Sequence, residues 1–139
     1  MGKIYYTNYQ DNRKEIGTHK FYARVAQQGE TYDLEKMARH IMEHGSIWTE
    51  DVVRAVLTKY KSCILEMLCD SKNVKIDGIG TLSIQLHSTG AETEEEFTAA
   101  DNITGAHIRF RPDGAKGSNL TSKKLLKQVS LEKAKFYKA

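Results

Sequence analysis

His40-Ile41-Met42-Glu43-His44 places two imidazoles one helical turn apart beside a carboxylate. That spacing matches the H-x-x-E-H pattern of inverted zinc peptidases, in which both histidines hold the metal and the Glu acts as base. The setting does not fit the motif. His40 and His44 fall at the polar flank of a stripe formed by Leu34, Ala38 and Ile41, and His44 lies in the last turn, where a partly positive side chain suits the helix dipole. The pair reads as solvent-edge histidines. No G-x-x-x-x-G-K-[ST], G-x-S-x-G or Cys-x-x-Cys pattern occurs, so no enzyme class is supported and neither a cofactor, a metal nor a small-molecule substrate is expected. Cys63 and Cys69 share one expected helix, point to different faces and read as reduced thiols.

The chemistry that remains is that of cations. The formal net charge is only +3, but it is unevenly distributed. From Gly105 onward the chain carries Arg109, Arg111, Lys116, Lys123, Lys124, Lys127, Lys133, Lys135 and Lys138 against only Asp113 and Glu132. Just before this, residues 88–104 hold Glu92, Glu94, Glu95, Glu96 and Asp101 and no Lys or Arg. A segment that attracts polyanions follows one that repels them.

These groups need elements to position them. Residues 3–9 and 20–26, rich in aromatic and β-branched residues, predict two short strands or a hairpin. Asp33 caps an expected helix with Leu34, Met37, Ala38, Ile41 and Met42 on one stripe, stopped by Gly45. Thr49 caps a longer one, with Glu50 and Asp51 in its first turn and an apolar side from Val52 to Leu68, ending near residues 70–73. Val74 and Ile76 then open an alternating pattern. Gly78 and Gly80 suit a turn that needs positive φ or a close backbone approach. The strand pattern continues to about His87, a loop or arm covers about 88–106, and residues 107–111 alternate again until Pro112. Ser118 or Thr121 caps a short helix to about Val129, and the last residues, with Phe136 and Tyr137, are expected to pair with the N-terminal strand.

Alternation divides the sheet into two faces. With Leu82, Ile84, Leu86, Ile108 and Phe110 turned toward the helices, Thr81, Ser83, Gln85, His87, His107, Arg109 and Arg111 share the opposite surface. Hydroxyl, amide and guanidinium groups position a protein on phosphates without reading bases. Arg109 and Arg111 lead the candidate phosphate-contacting residues, because a guanidinium fork contacts phosphate at two points. Lys75, Ser83, Gln85 and His107 join them on the sheet, and Lys116, Lys123 and Lys124 near the last helix, where Ser118 and nearby amides suit a phosphate.

The run Val74-Lys75-Ile76-Asp77-Gly78-Ile79-Gly80-Thr81-Leu82-Ser83-Ile84, following two helices, resembles the HU/IHF family of bacterial architectural DNA-binding proteins. The resemblance runs from Thr31 to Lys127, and Phe110-Arg111-Pro112 is similar to the family's Phe-Lys-Pro/Ala step into the last helix. The segment Gly90-Ala91-Glu92-Thr93-Glu94-Glu95-Glu96-Phe97-Thr98-Ala99 and the added N-terminal strands resemble the divergent HU-related branch common in Bacteroides-type bacteria. The resemblance implies an α+β fold and an intertwined homodimer. Two helices lie under a β-sheet saddle that grips duplex DNA, with an arm, a C-terminal helix and an extra N-terminal hairpin. The expected division is an N-terminal β extension over 1–30, an HU-like domain over 31–130 and a C-terminal tail or short strand over 131–139. The implied function is that of a histone-like, nucleoid-associated protein, sequence-tolerant and located in the cytoplasm. No membrane partner is expected, because no apolar run is long enough to span one.

One departure from the family is pronounced. Members that kink DNA carry a basic arm tipped by an Arg-x-Gly-Arg-Asn-Pro-like run, whereas Ser88 to Asn102 has no proline, Lys or Arg. Little kinking is therefore expected. The rival reading is an HU-like dimer repurposed for protein contacts through this acidic arm and Tyr5, Tyr6, Tyr9, Phe21 and Tyr22.

Overall fold

A computed structural model describes residues 2–11, 13, 19–26, 30–114 and 122–135, the side chains of Ser122 and Lys123 excepted. The chain is mixed α+β, in the order β1 (Gly2–Gln10), β2 (Phe21–Val25), α1 (Leu34–Glu43), α2 (Glu50–Cys69), β3 (Val74–Ile76), β4 (Gly80–Ser88), α3 (Ala99–Asn102), β5 (Ile103–Pro112), α4 (Ser122–Lys127) and β6 (Val129–Lys133). It divides into two compact units, Met1–Thr31 with Thr121–Ala139, and Tyr32–Leu120.

In the second unit, Asp33 caps α1 by accepting the Lys36 amide at 2.8 Å, satisfying one of the donors a helix start leaves open. Gly45, at φ +84°, lets the chain leave that helix. Thr49 is the N-cap of α2 but makes no side-chain cap bond; Glu50 and Asp51 still place negative charge against the helix dipole. Arg39 of α1 reaches Glu50 at 3.7 Å across the helix pair. The end of α2 is closed by Ser71 in the left-handed region, φ 59°, with the Lys72 amide donating to Met67 at 3.0 Å. Ala38 and Leu68 are the buried apolar side chains of this unit among the described residues.

The sheet of this unit has the order β3-β4-β5, antiparallel throughout. The two glycines between its first strands serve different needs. Gly78 takes φ +77° in the turn, closed by the Ile79 amide donating to Ile76 at 2.9 Å, whereas at Gly80 a Cβ would collide with the Arg111 carbonyl and the Phe110 ring. Leu82 pairs with Phe110, Ile84 with Ile108 and Leu86 with Ala106, and β4 packs against α2. Strand β5 begins at Ile103, so the connecting loop is 89–102 instead of 88–106. Gly105 and Ala106 have weak strand propensity, and pairing with β4 overrides it.

In the first unit β1 is central, antiparallel to β2 and parallel to β6. Helix α4 stops at Lys127, short of the expected end at Val129, because Val129 opens β6 in register with Gly2. The pairing with β1 expected of the last residues is made by Val129–Lys133; Phe136 and Tyr137, with the cap candidates Ser118 and Thr121, lie outside the described residues. Residues 121–130, assigned from sequence to the HU-like domain, are therefore grouped with the N-terminal strands, since a parallel edge strand ties them to β1.

Candidate functional site

The second unit's sheet presents its polar groups in ordered rows. Lys75 stands abreast of Thr81, and Thr81 of Arg111; the next row pairs Ser83 with Arg109, and the next Gln85 with His107. Cross-strand neighbours of this kind lie about 5 Å apart, so the rows form one continuous surface. A cavity of about 260 Å³ opens on it, lined by Asn73, Thr81, Ser83, Gln85, Arg109 and Arg111. None of these six carries a carboxylate, and neither arginine forms an ion pair among the described residues. Among the described residues neither guanidinium donates a side-chain hydrogen bond, which leaves its donors for an oxyanion. At the far end of the face, His87 and His107 stack with ring centroids 4.5 Å apart.

Six of the sequence candidates thus share one face: Lys75, Ser83, Gln85, His107, Arg109 and Arg111. Lys124 belongs to α4 in the other unit; Lys116 and the side chain of Lys123 lie outside the described residues. The sequence reading missed Asn73. It lies just before β3 with the same parity as Lys75, so extending the alternation by two residues would have found it.

The loop between β4 and β5 has another character. Its neck is closed by the Thr89 amide donating to the Asn102 carbonyl at 2.8 Å, and the Asn102 side chain accepts from the Thr98 amide at 3.0 Å while donating to Thr89 Oγ1 at 3.3 Å. Thr98 caps α3 and donates from its hydroxyl to Asp101 at 2.9 Å. Between these ties lie Glu92, Glu94, Glu95 and Glu96, all exposed. The segment is a hydrogen-bonded loop with a short helix instead of an extended ribbon.

His40 and His44 come together on α1 with ring centroids 4.5 Å apart, Tyr32 lying edge-on to His40, yet no third His, Cys, Asp or Glu among the described residues joins them in a metal-holding group. Cys63 and Cys69 are both free thiols. No helix among the described residues is long and apolar enough to cross a membrane.

Comparison with known proteins places this architecture. The family profile described as an HU domain fused to a wHTH, Ig or glycine-rich motif matches residues 2–130, and the chain belongs to this HU-HIG family. Among solved structures, it is similar to a protein of Bacteroides vulgatus ATCC 8482 that is proposed to bind DNA, with a TM-score of 0.65 at 9% sequence identity over 95% of this chain. The match spans 48% of that protein, about half its length. An Anabaena HU solved with DNA aligns at a TM-score of 0.41 and 15% identity, over 58% of this chain and 85% of that one. No curated protein matches the chain.

Proposed function

We propose that this chain is an architectural DNA-binding protein that holds duplex DNA largely without regard to sequence, through phosphate contacts on the polar face of β3, β4 and β5. The observation that carries the reading is the acid-free cavity with Arg109, Arg111, Ser83, Gln85, Thr81 and Asn73 on its walls, set in a chain of the HU-HIG family. Such donors fix register on a backbone and carry little base information. Lys75 and His107 extend the contact surface, Lys116, Lys123 and Lys124 add charge along the bound duplex, and the site of action is the nucleoid in the cytoplasm. The test is a gel shift of mixed-sequence duplex at two salt concentrations. Affinity is expected to fall steeply with salt, with a log–log slope of about 0.9 per phosphate contact, and to vary little between sequences. Salt-independent binding, or none, would favour protein partners over DNA.

The working form is a homodimer, its HU-like units intertwined and each carrying the N-terminal strand pair as an extension. The apolar surface of the second unit supports this. A cavity of about 450 Å³ is lined by Leu57, Tyr60, Ile64, Leu65, Leu82 and Ile108, among others, and Trp48 and Val56 stay 60% and 62% exposed. Open apolar surface on this scale is normally covered by a partner. Sedimentation at micromolar protein is expected to give a dimer; a stable monomer would contradict it.

A further inference from the structure

The sheet β2-β1-β6 has two unlike faces. Ile4, Tyr6, Asn8 and Gln10 of β1 share one side with Leu131, Lys133, Val25, Ala23 and Phe21, their partners in register, and this side is largely aliphatic and aromatic with Lys133 as its cation. Lys3, Tyr5, Thr7 and Tyr9 share the other, where Tyr22 stands opposite Tyr9, Arg24 opposite Thr7 and Glu132 beside Tyr5. Here Thr7 and Ala26 are buried, at 8% and 4% exposure, and three phenol rings around them stay partly open, with Tyr5, Tyr9 and Tyr22 exposed by 37%, 40% and 45%. The Tyr9 and Tyr22 rings are 6.0 Å apart and inclined at 33°, and the Arg24 guanidinium lies 5.6 Å from the Tyr9 centroid. Lys3 donates to Glu132 at 2.9 Å, a hydrogen bond that raises its pKa above the usual lysine value and keeps the ammonium charged.

We propose that this face is a second nucleic-acid site, specific for single strands, in which unpaired bases stack on Tyr9, Tyr22 and Tyr5 while Arg24 meets the backbone phosphates. Aromatic rings on a sheet surface stack with any base, since every base has a π-face, and a neighbouring guanidinium adds cation–π and phosphate contacts. A duplex cannot use such rings, because its base faces are already stacked on each other. Tyr5 and Tyr9 are four residues apart on one strand, about 13 Å at the usual rise, a span that a flexible strand follows. A protein partner seeking apolar contact would favour the opposite face, where Phe21, Val25 and Leu131 are open and no cation–π pair is formed among the described residues.

The test uses fluorescence anisotropy on the full chain, with a labelled oligothymidylate of about 15 nucleotides and, separately, a labelled mixed duplex. Tyr9→Ala with Tyr22→Ala is expected to lower single-strand affinity by about tenfold or more and to leave duplex affinity unchanged. Tyr9→Phe with Tyr22→Phe keeps the rings and is expected to bind the single strand as the parent does, which separates lost stacking from lost folding. Arg24→Gln is expected to cost a few-fold. The inference fails if the parent does not bind the oligonucleotide, or if the double alanine variant binds it as well as the parent. It also fails if the double phenylalanine variant loses binding. Arg109→Glu with Arg111→Glu, which weakens the proposed duplex grip, leaves single-strand binding in place if the two sites are separate; loss of both together would overturn the second site.

Discussion

Strands β4 and β5 carry two contrasting regions along the same pair of strands. Over the sheet, pairs such as Thr81 with Arg111 and Ser83 with Arg109 assemble uncharged donors and guanidiniums with no carboxylate among them. Beyond Ser88 the same two strands are joined by a loop with four exposed glutamates and no Lys or Arg. Alternation forces every second strand residue onto the sheet face, so a basic, polar surface arises from a simple repeat. The loop is under no such periodicity, and its charge is set residue by residue. On the proposed reading, gripping and deforming a polyanion become separable on this scaffold, the sheet serving the first and the loop lacking the groups for the second.

The largest expected effect breaks the basic half of this contrast. Arg109→Glu with Arg111→Glu removes two charge-assisted contacts and adds repulsion, which should cost about 3 kcal/mol or more, roughly a hundredfold in duplex affinity. The loss should be uniform across sequences, and the salt slope should become shallower by about 0.9 for each contact removed. Because both side chains are exposed strand residues, circular dichroism and melting should be nearly unchanged. Unaltered duplex binding in this variant would move the site off the sheet.

A smaller effect probes the acidic half. Glu94→Lys with Glu95→Lys should raise duplex affinity several-fold at low salt, since repulsion is removed and attraction added. The gain should shrink as the Debye length falls from about 30 Å at 0.01 M to about 8 Å at 0.15 M salt. An equal gain at both salt concentrations would mean that the substitutions act through something other than charge, since each new Lys–phosphate contact steepens the salt dependence.

What was legible in the sequence follows from which physical signals are local. The helices α1 and α2 and the face shared by Lys75, Ser83, Gln85, His107, Arg109 and Arg111 came from periodicity, which a chain carries within itself. The double role of Gly78 and Gly80 was visible as turn chemistry, although only the structure separates positive φ at one from close packing at the other. Two features were hidden. Gly105 and Ala106 are strand only because β4 offers a partner in register, and although the last residues were expected to pair with β1, the place where the chain does so, Val129–Lys133, is a non-local choice that composition does not encode. Asn102 as the tie of the loop was equally invisible, since its role depends on Thr89 and Thr98 being brought to it.

The smallest expected effect is a near absence, and it sharpens the comparison most. Bending a site of 20 to 30 base pairs by tens of degrees costs of order 1–6 kcal/mol, which apolar wedges and minor-groove cations must offset. The loop has no proline and no basic residue, and its neck is drawn shut by the Thr89, Thr98 and Asn102 hydrogen bonds, so neither compensation is within reach. Its one aromatic, Phe97, sits in a turn closed by its own amide donating to the Glu94 carbonyl at 3.2 Å, flanked by the carboxylates that phosphates repel. Bound duplex should therefore remain nearly straight in a fluorescence-transfer assay between its two ends, with transfer close to that of the free duplex. Phe97→Ala should leave that value where it is. Strong bending by the unaltered chain, abolished in Phe97→Ala, would mean that the loop inserts despite its charge and that grip and deformation are joined after all.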